Sequence, residues 1–308
     1  MTATTHKAMA LMGATGTGKS ALALDIAQAM GVRIISCDSM QVYRGLDIGT
    51  AKVSREERVL VPHDLVDCAD IQDIWSAQHW ANAALDIIRS ENAAGRVPLI
   101  VGGTGMYLRA LLEGFADIPE VPQAMRDELL ALQQTHGTAY LHQQLQACDP
   151  DLAQRLHASD TQRIMRGLGV FQASQKPLSA WQAEHQQQHE AVDCPVFVLE
   201  VERSVLRERL AARIEAMLQA GWVDEVRWLD AQQVPELHPA LRAVGYRQFL
   251  DYVHGVCSLE EAKTDAITAT RRYAKRQVTW FRNQTPHAQQ GSAEGIKTAL
   301  LESFKAWI

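Results

Sequence analysis

Residues Gly13 to Ser20 read GATGTGKS and match the pattern G-x-x-x-x-G-K-[ST] at every fixed position. That spacing suits the holding of a polyphosphate. The glycines let backbone N–H groups close around phosphate oxygens, a lysine adds a point charge, and the final hydroxyl can ligate magnesium. Gly13, Ala14, Thr15, Gly16, Thr17, Gly18, Lys19 and Ser20 are therefore the candidate diphosphate- or nucleotide-binding set, with Ser20 the candidate ligand for Mg2+. Downstream, Asp38 closes the apolar stretch VRIISC. A carboxylate there can hold a metal, accept a substrate proton, bind a ribose, or cap the turn that follows. A rival parse of GTGKSA as a dinucleotide fingerprint needs alanine as its third glycine and leaves Lys19 and Ser20 idle. The loop specifies a polyphosphate without saying which one. An ATPase or GTPase normally carries an aspartate at the end of a second apolar strand, and the later strand here ends LIVGGTG with no acid. A conventional motor or switch NTPase is thereby disfavoured, while a small-molecule kinase stays open.

Cations gather in three further places. Arg163 and Arg166 form an i,i+3 helical pair, Arg242 and Arg247 flank AVGY, and Arg271, Arg272, Lys275, Arg276 and Arg282 lie in an acid-free run interleaved with Tyr273, Trp280 and Phe281. Such runs are either solvated helix faces or contacts to phosphates.

The elements that position these groups can be read from the pattern. AMALM, VRIIS and PLIV are short strands, and VFVLEV returns as a buried strand after Pro195. Helices fit ALALDIAQAM up to Gly31 and the stretch from its N-cap Ser76 to Gly95. Leu206, Leu210, Ile214 and Met217 mark another helix running to Gly221, and Ser258 with Glu261 is a capping box opening a further one. Alternating strands and helices imply an α/β fold with a parallel sheet, whose sites form beyond the carboxyl ends of its strands. Gly13–Ser20, Asp38 and Gly102–Thr104 all lie at such ends. After Pro119 and Pro122 the chain turns rich in Gln, Leu, Ala and His up to Glu190, with no strand pattern, and reads as an all-helical insertion. The expected organisation is a core of residues 1–116 plus 196–308 with an insertion at 117–195. HQQQHE reads as a solvated helix end or loop, and Trp75 and Trp80 as core.

Bulk properties narrow the class. A chain of 308 residues, 47% hydrophobic and 21% charged, has an ordinary globular composition. The N-terminal apolar run Ala8–Met12 is too short for a signal core or a membrane span, so a cytoplasmic protein without membrane attachment is expected. Five cysteines with no C-x-x-C pair read as free thiols. A net charge of −6 argues against nucleic-acid binding, so cation placement has to outweigh the total.

Seven ordered blocks, GATGTGKS, DSMQVYRGLDIGTAK, PHDLVD, VGGTGMYLRALLEG, DTQRIMRGLGV, LRAVGYRQ and RRYAKRQVTWFR, together resemble the tRNA dimethylallyltransferases, from about Met9 to Asn283. The chain departs from the family in having Ala14 where proline is usual, which leaves every phosphate donor in place. It also lacks the C-terminal Cys/His zinc module of some eukaryotic relatives. The resemblance implies a P-loop-like core, transfer of a dimethylallyl group from dimethylallyl diphosphate to N6 of the adenosine 3′ to the anticodon, Mg2+, and a tRNA anticodon stem-loop as partner. It also implies catalytic roles for Asp38, Thr15 and Lys19, with Asp38 the proton acceptor. The matched tRNA-contacting positions are Asp38, Ser39, Met40, Gln41, Thr104, Arg126, the block Gln162, Arg163, Ile164, Met165, Arg166, and the block Arg242, Ala243, Val244, Gly245, Tyr246, Arg247. The insertion would embrace the stem-loop, which an adenylate prenyltransferase making free cytokinins does not need. A monomer is expected, and the last 25 residues carry no site reading. The alternatives are a nucleotide or small-molecule kinase and an RNA-binding regulator with a vestigial phosphate loop.

Overall fold

The computed structural model describes residues 5–114, 118, 121–186, 190–235 and 238–307. Pro119 and Gln187–His189 of the HQQQHE stretch lie outside the described residues. The chain divides into two compact units, one of Met1–Leu112 with Ala191–Ile308 and one of Glu113–Glu190. The division falls a few residues before the limits of 117 and 195 read from the prolines. Helix Gly105–Glu113 carries the chain to the first boundary, and strand Val192–Asp193 already belongs to the larger unit.

The larger unit holds strands β1 (His6–Lys7), β2 (Met9–Gly13), β3 (Ile34–Cys37), β4 (His63–Asp64), β5 (Leu99–Gly102), β6 (Val192–Asp193), β7 (Val196–Leu199) and β8 (Gln289–Gly291). Six of them form one sheet in the order β4-β3-β5-β2-β7-β8, parallel throughout, and β1 pairs with β6 beside it. Every residue of β2, β3 and β5 is buried, as strands covered on both faces require. Leu11 faces Val101 on one side and Phe197 on the other, which fixes β2 at the centre.

Helix Lys19–Met30 stops at Gly31, whose φ of 64° is left-handed, and helix Ala77–Ala93 starts from Ser76, whose hydroxyl accepts from His79 N–H. The Ser258–Glu261 capping box forms with both of its bonds at the head of helix Leu259–Gln284. Leu206, Leu210, Ile214 and Met217 are all buried along helix Arg203–Gln219. The last residues build core: β8 adds an edge strand, and helix Ala293–Trp307 packs Ile296, Leu300 and Phe304 against Leu22, Ile26 and Phe197. All five cysteines are free thiols, and no described helix is long and apolar enough to cross a membrane.

The smaller unit contains helices Gln123–Cys148, Pro150–Arg155, Thr161–Ser174 and Leu178–Gln186, with no strand among its described residues. The first breaks at Gly137, where φ is 82° and ψ 168°. Leu129, Leu145, Leu152, Ile164 and Leu168 form its core. Asp149 is fully buried yet satisfied: its carboxylate caps Leu152 N–H and accepts from both the N–H and the hydroxyl of Ser179.

Candidate functional site

The glycine loop leaves β2 at Gly13 and bends through Gly16 and Gly18, with φ of 81° and 91°. Gly18 caps helix Lys19–Met30 without a side chain, so the first helical N–H groups keep no protein cap and open as an anion cradle. Thr17 hydroxyl donates to Ala14 carbonyl at 2.9 Å, closing the loop on itself. Lys19 Nζ lies 3.3 Å from the same carbonyl. Burial depresses its pKa from 10.5 to about 8; Asp38 pulls in the opposite direction and Arg213 reinforces the depression. Thr15 and Lys19 are partly exposed and Ser20 is exposed, and all three line the crevice.

Asp38 leaves β3 two strands away from the loop, with β5 between them. Its Oδ1 accepts from Met40 N–H at 2.9 Å and from Gln41 N–H at 3.3 Å, while Oδ2 takes no hydrogen bond among the described residues. The capping and proton-accepting readings of Asp38 are therefore compatible, one oxygen serving each. The strand-end loop of β5 supports this turn: Thr104 N–H donates to Cys37 carbonyl at 3.1 Å, and Thr104 hydroxyl accepts from Ser39 N–H at 3.1 Å. A side chain at Gly102 would sit 2.0 Å from the Cys37 carbonyl oxygen, so this close approach demands glycine.

A further loop, Asp47–Lys52, closes the crevice. Glu225 accepts from the N–H groups of Asp47, Ile48 and Gly49 at 2.7, 2.7 and 2.9 Å and from Tyr246 hydroxyl at 2.5 Å. Burial and the neighbouring Glu225 carboxylate raise the Tyr246 phenol well above its ordinary pKa. Lys52 is buried and donates to Tyr43 carbonyl and to the carboxylates of Asp47 and Asp67.

The cavity enclosed is about 710 Å³. It brings together Thr15, Gly16, Gly18, Lys19 and Ser20, then Asp38, Ser39, Met40 and Gln41, and Arg242, Ala243, Val244 and Tyr246. Gly13, Ala14, Thr17, Thr104, Gly245 and Arg247 are adjacent in sequence or bonding but do not line it. Arg126 and Gln162–Arg166 belong to the smaller unit. There Gln162, Arg163 and Arg166 are exposed, Met165 is half-buried, and Ile164 is fully buried, its side chain serving the core rather than a surface contact. Arg163 pairs with Asp160 at 3.4 Å. The basic run divides as well. Tyr273, Arg276 and Gln277 face the crevice, whereas Arg271, Arg272, Lys275 and Arg282 line a second groove with Arg203 and Arg207. Phe281 is core, and Trp280 packs against Gly105. Trp80 is buried and donates its indole N–H to Ser36 carbonyl, while Trp75 is only half-buried.

Three site residues escape sequence reasoning. Arg213 lines the crevice and makes no ion pair among the described residues; burial lowers its pKa, partly offset by Asp38. Its only sequence signal is an arginine beside the apolar stripe of Leu210 and Ile214. Glu225 reads as an ordinary helical acid. Gln277 sits inside the basic run and is 7% exposed. Its Oε1 accepts from Thr15 N–H at 2.9 Å, so that one loop donor, though in place, is already engaged.

A central parallel sheet, a glycine loop opening a helix and a carboxylate across the crevice define a P-loop-like α/β protein. The IPP transferase family model matches residues 41–284 and the isopentenyl transferase model residues 6–62. The chain belongs to the IPP transferase family. It is 46% identical over 290 residues to the tRNA dimethylallyltransferase of Xanthomonas axonopodis pv. citri, covering 90% of this chain and 87% of that one. The tRNA dimethylallyltransferase of Azorhizobium caulinodans is 43% identical, covering 93% and 92%. Among solved structures, the full-length tRNA isopentenylpyrophosphate transferase of Bacillus halodurans superposes with TM-score 0.71 at 31% identity over 98% of this chain and 96% of its own. A eukaryotic dimethylallyltransferase acting on tRNA gives TM-score 0.78 at 26% identity, over 94% of this chain and 74% of that one.

Proposed function

We propose that this protein transfers a dimethylallyl group from dimethylallyl diphosphate to N6 of the adenosine 3′-adjacent to the anticodon of tRNA, in the cytoplasm. The observation that carries the reading is the pairing, in one crevice, of an uncapped phosphate loop flanked by two half-buried cations, Lys19 and Arg213, with a carboxylate that keeps one oxygen unbonded among the described residues. Breaking the allylic C–O bond places negative charge on the departing diphosphate. Lys19, Arg213 and the free amides at the head of helix Lys19–Met30 stabilise that charge as it develops, where stabilisation lowers the barrier. Thr15 stands beside them with its hydroxyl free of hydrogen bonds among the described residues. The adenine amine is a poor nucleophile, and Asp38 Oδ2 accepts its proton as the N–C bond forms.

Ser20 fits a magnesium site: its exposed hydroxyl faces the crevice without a hydrogen-bond partner among the described residues. No cluster of three or more acidic, His or Cys ligands occurs among those residues, which suits an ion held largely by diphosphate and water. Bound there, Mg2+ supplies charge neutralisation on the leaving group. The target adenine has to leave its stack to reach Asp38, a step costing a few kcal/mol. Ser39, Met40, Gln41, Thr104 and the Arg242–Arg247 block are proposed to receive it. The exposed cations Arg126, Arg163, Arg166, Arg271, Arg272, Lys275 and Arg282 supply phosphate contacts. A monomer suffices for this arrangement.

Prenyl incorporation into an anticodon stem-loop, with its target adenine replaced as control, tests the reading. ATP-dependent phosphoryl transfer without prenylation would instead establish a kinase. A pH profile adds a check. Lys19 is protonated below about pH 8 and loses its charge above it. The second-order rate for dimethylallyl diphosphate at saturating stem-loop is therefore level just below pH 8 and falls by up to tenfold per unit above it, and in Lys19→Met this limb disappears.

A further inference from the structure

Among the described residues, Gln277 is the one side chain that hydrogen-bonds both the phosphate loop and the strand-end loop of β5. It lies inside helix Leu259–Gln284, 7% exposed, and both side-chain hydrogen bonds it makes among the described residues go to backbone of the site. Oε1 accepts from Thr15 N–H at 2.9 Å, and Nε2 donates to Gly103 carbonyl at 2.8 Å. Both partners are the sort of backbone group that three adjacent strand ends leave unpaired, since neither β2 nor β5 continues past its glycine. From Gly103 the linkage continues through Thr104, whose N–H holds Cys37 carbonyl and whose hydroxyl holds Ser39 N–H, on either side of Asp38.

We infer that Gln277 is a positioning residue that sets the separation between the leaving-group cradle and the proton acceptor. This inference rests on the transfer reaction proposed above. The reasoning is geometric. A phosphate loop is useful only if its open amides are fixed before the ligand arrives, because ordering them on binding would consume affinity. Thr15 N–H is tied to the helix through Gln277, so its hydroxyl rather than its amide is left for the diphosphate. A glutamine is required because the site presents one donor and one acceptor, which a neutral amide satisfies together. A methionine of similar length satisfies neither, leaving a half-buried N–H and a buried carbonyl unpaired.

Gly103 offers an independent route to the same contact. A Cβ added there would stand 2.4 Å from Gln277 Nε2, the movable end of a side chain, and 3.1 Å from Gly13 carbonyl. Gly103→Ala thus displaces the amide without touching Gln277 itself.

The test uses the full-length protein with two probes. In Gln277→Met, the expected result is about a tenfold rise in KM for dimethylallyl diphosphate, about 1.4 kcal/mol, with KM for the stem-loop changed less than twofold. Inorganic pyrophosphate with magnesium should protect the wild type against thermal unfolding and protect Gln277→Met much less at the same concentration. Gly103→Ala should reproduce both effects, and combining the two substitutions should add little beyond either alone, the sign of a shared contact. An unchanged KM for the diphosphate, equal losses toward both substrates, or full additivity of the two substitutions would overturn the inference. The pyrophosphate arm needs no prenyl transfer. A wild-type protein that fails to prenylate therefore removes the proposed function, while the dependence of pyrophosphate protection on Gln277 still decides whether the amide holds the cradle.

Discussion

Asp38→Asn is expected to lower kcat for prenyl transfer by about 10³-fold while changing KM for either substrate by less than about threefold. The substitution isolates chemistry from architecture. Asp38 Oδ1 already serves as a turn acceptor for Met40 and Gln41 N–H, and an asparagine carbonyl oxygen can take both bonds in the same place. What the amide cannot do is accept the proton of the adenine amine at the second position, where Asp38 has an unbonded oxygen. The unliganded variant should accordingly melt within a degree or two of the parent. Single-turnover rates with saturating stem-loop measure the effect directly. A rate within tenfold of wild type would leave Asp38 as a turn cap and move the proton elsewhere.

The second large effect carries two opposite signs. Arg213→Met should reduce kcat/KM for dimethylallyl diphosphate by about 10²- to 10³-fold, because a half-buried cation lining the crevice beside the phosphate loop acts where charge develops. The same change should raise the melting temperature of the unliganded protein by about 2–4 °C. Arg213 lines the crevice with no ion pair among the described residues, and burial depresses its pKa, the mark of a desolvated charge without full compensation. Methionine keeps the length and apolar stem and removes the uncompensated charge. Lost activity together with gained stability is the pattern of a residue held for its ligand. Loss of both would mark Arg213 as a structural support instead.

The sequence legibly carried those parts of the site that follow from local rules. GATGTGKS needs only a preceding strand and a following helix, and both are present, with left-handed Gly16 and Gly18 where the turn requires them. The strand ends at Gly13, Cys37 and Gly102 were placed by apolar runs short enough to be buried strands. Caps at Ser76 and Ser258 are i,i+3 interactions and are legible in the sequence for that reason. The resemblance named the candidate contacts but could not sort them by burial: Ile164 proved to be core, and Tyr246 spends its hydroxyl on Glu225.

Arg213, Glu225 and Gln277 were illegible because nothing nearby in sequence explains them. Glu225 meets Gly49 across 176 positions, and Gln277 meets Thr15 across 262. Sequence alone determined the phosphate loop, the parallel α/β core and the carboxylate that closes its second strand, all consequences of periodicity and backbone preference within a few residues. Only the tertiary structure decided which cations stay unpaired, which loop donor is already spent, and which oxygen of Asp38 remains open. Those depend on side chains from distant helices meeting at the strand ends, where burial makes each unmatched charge or amide count.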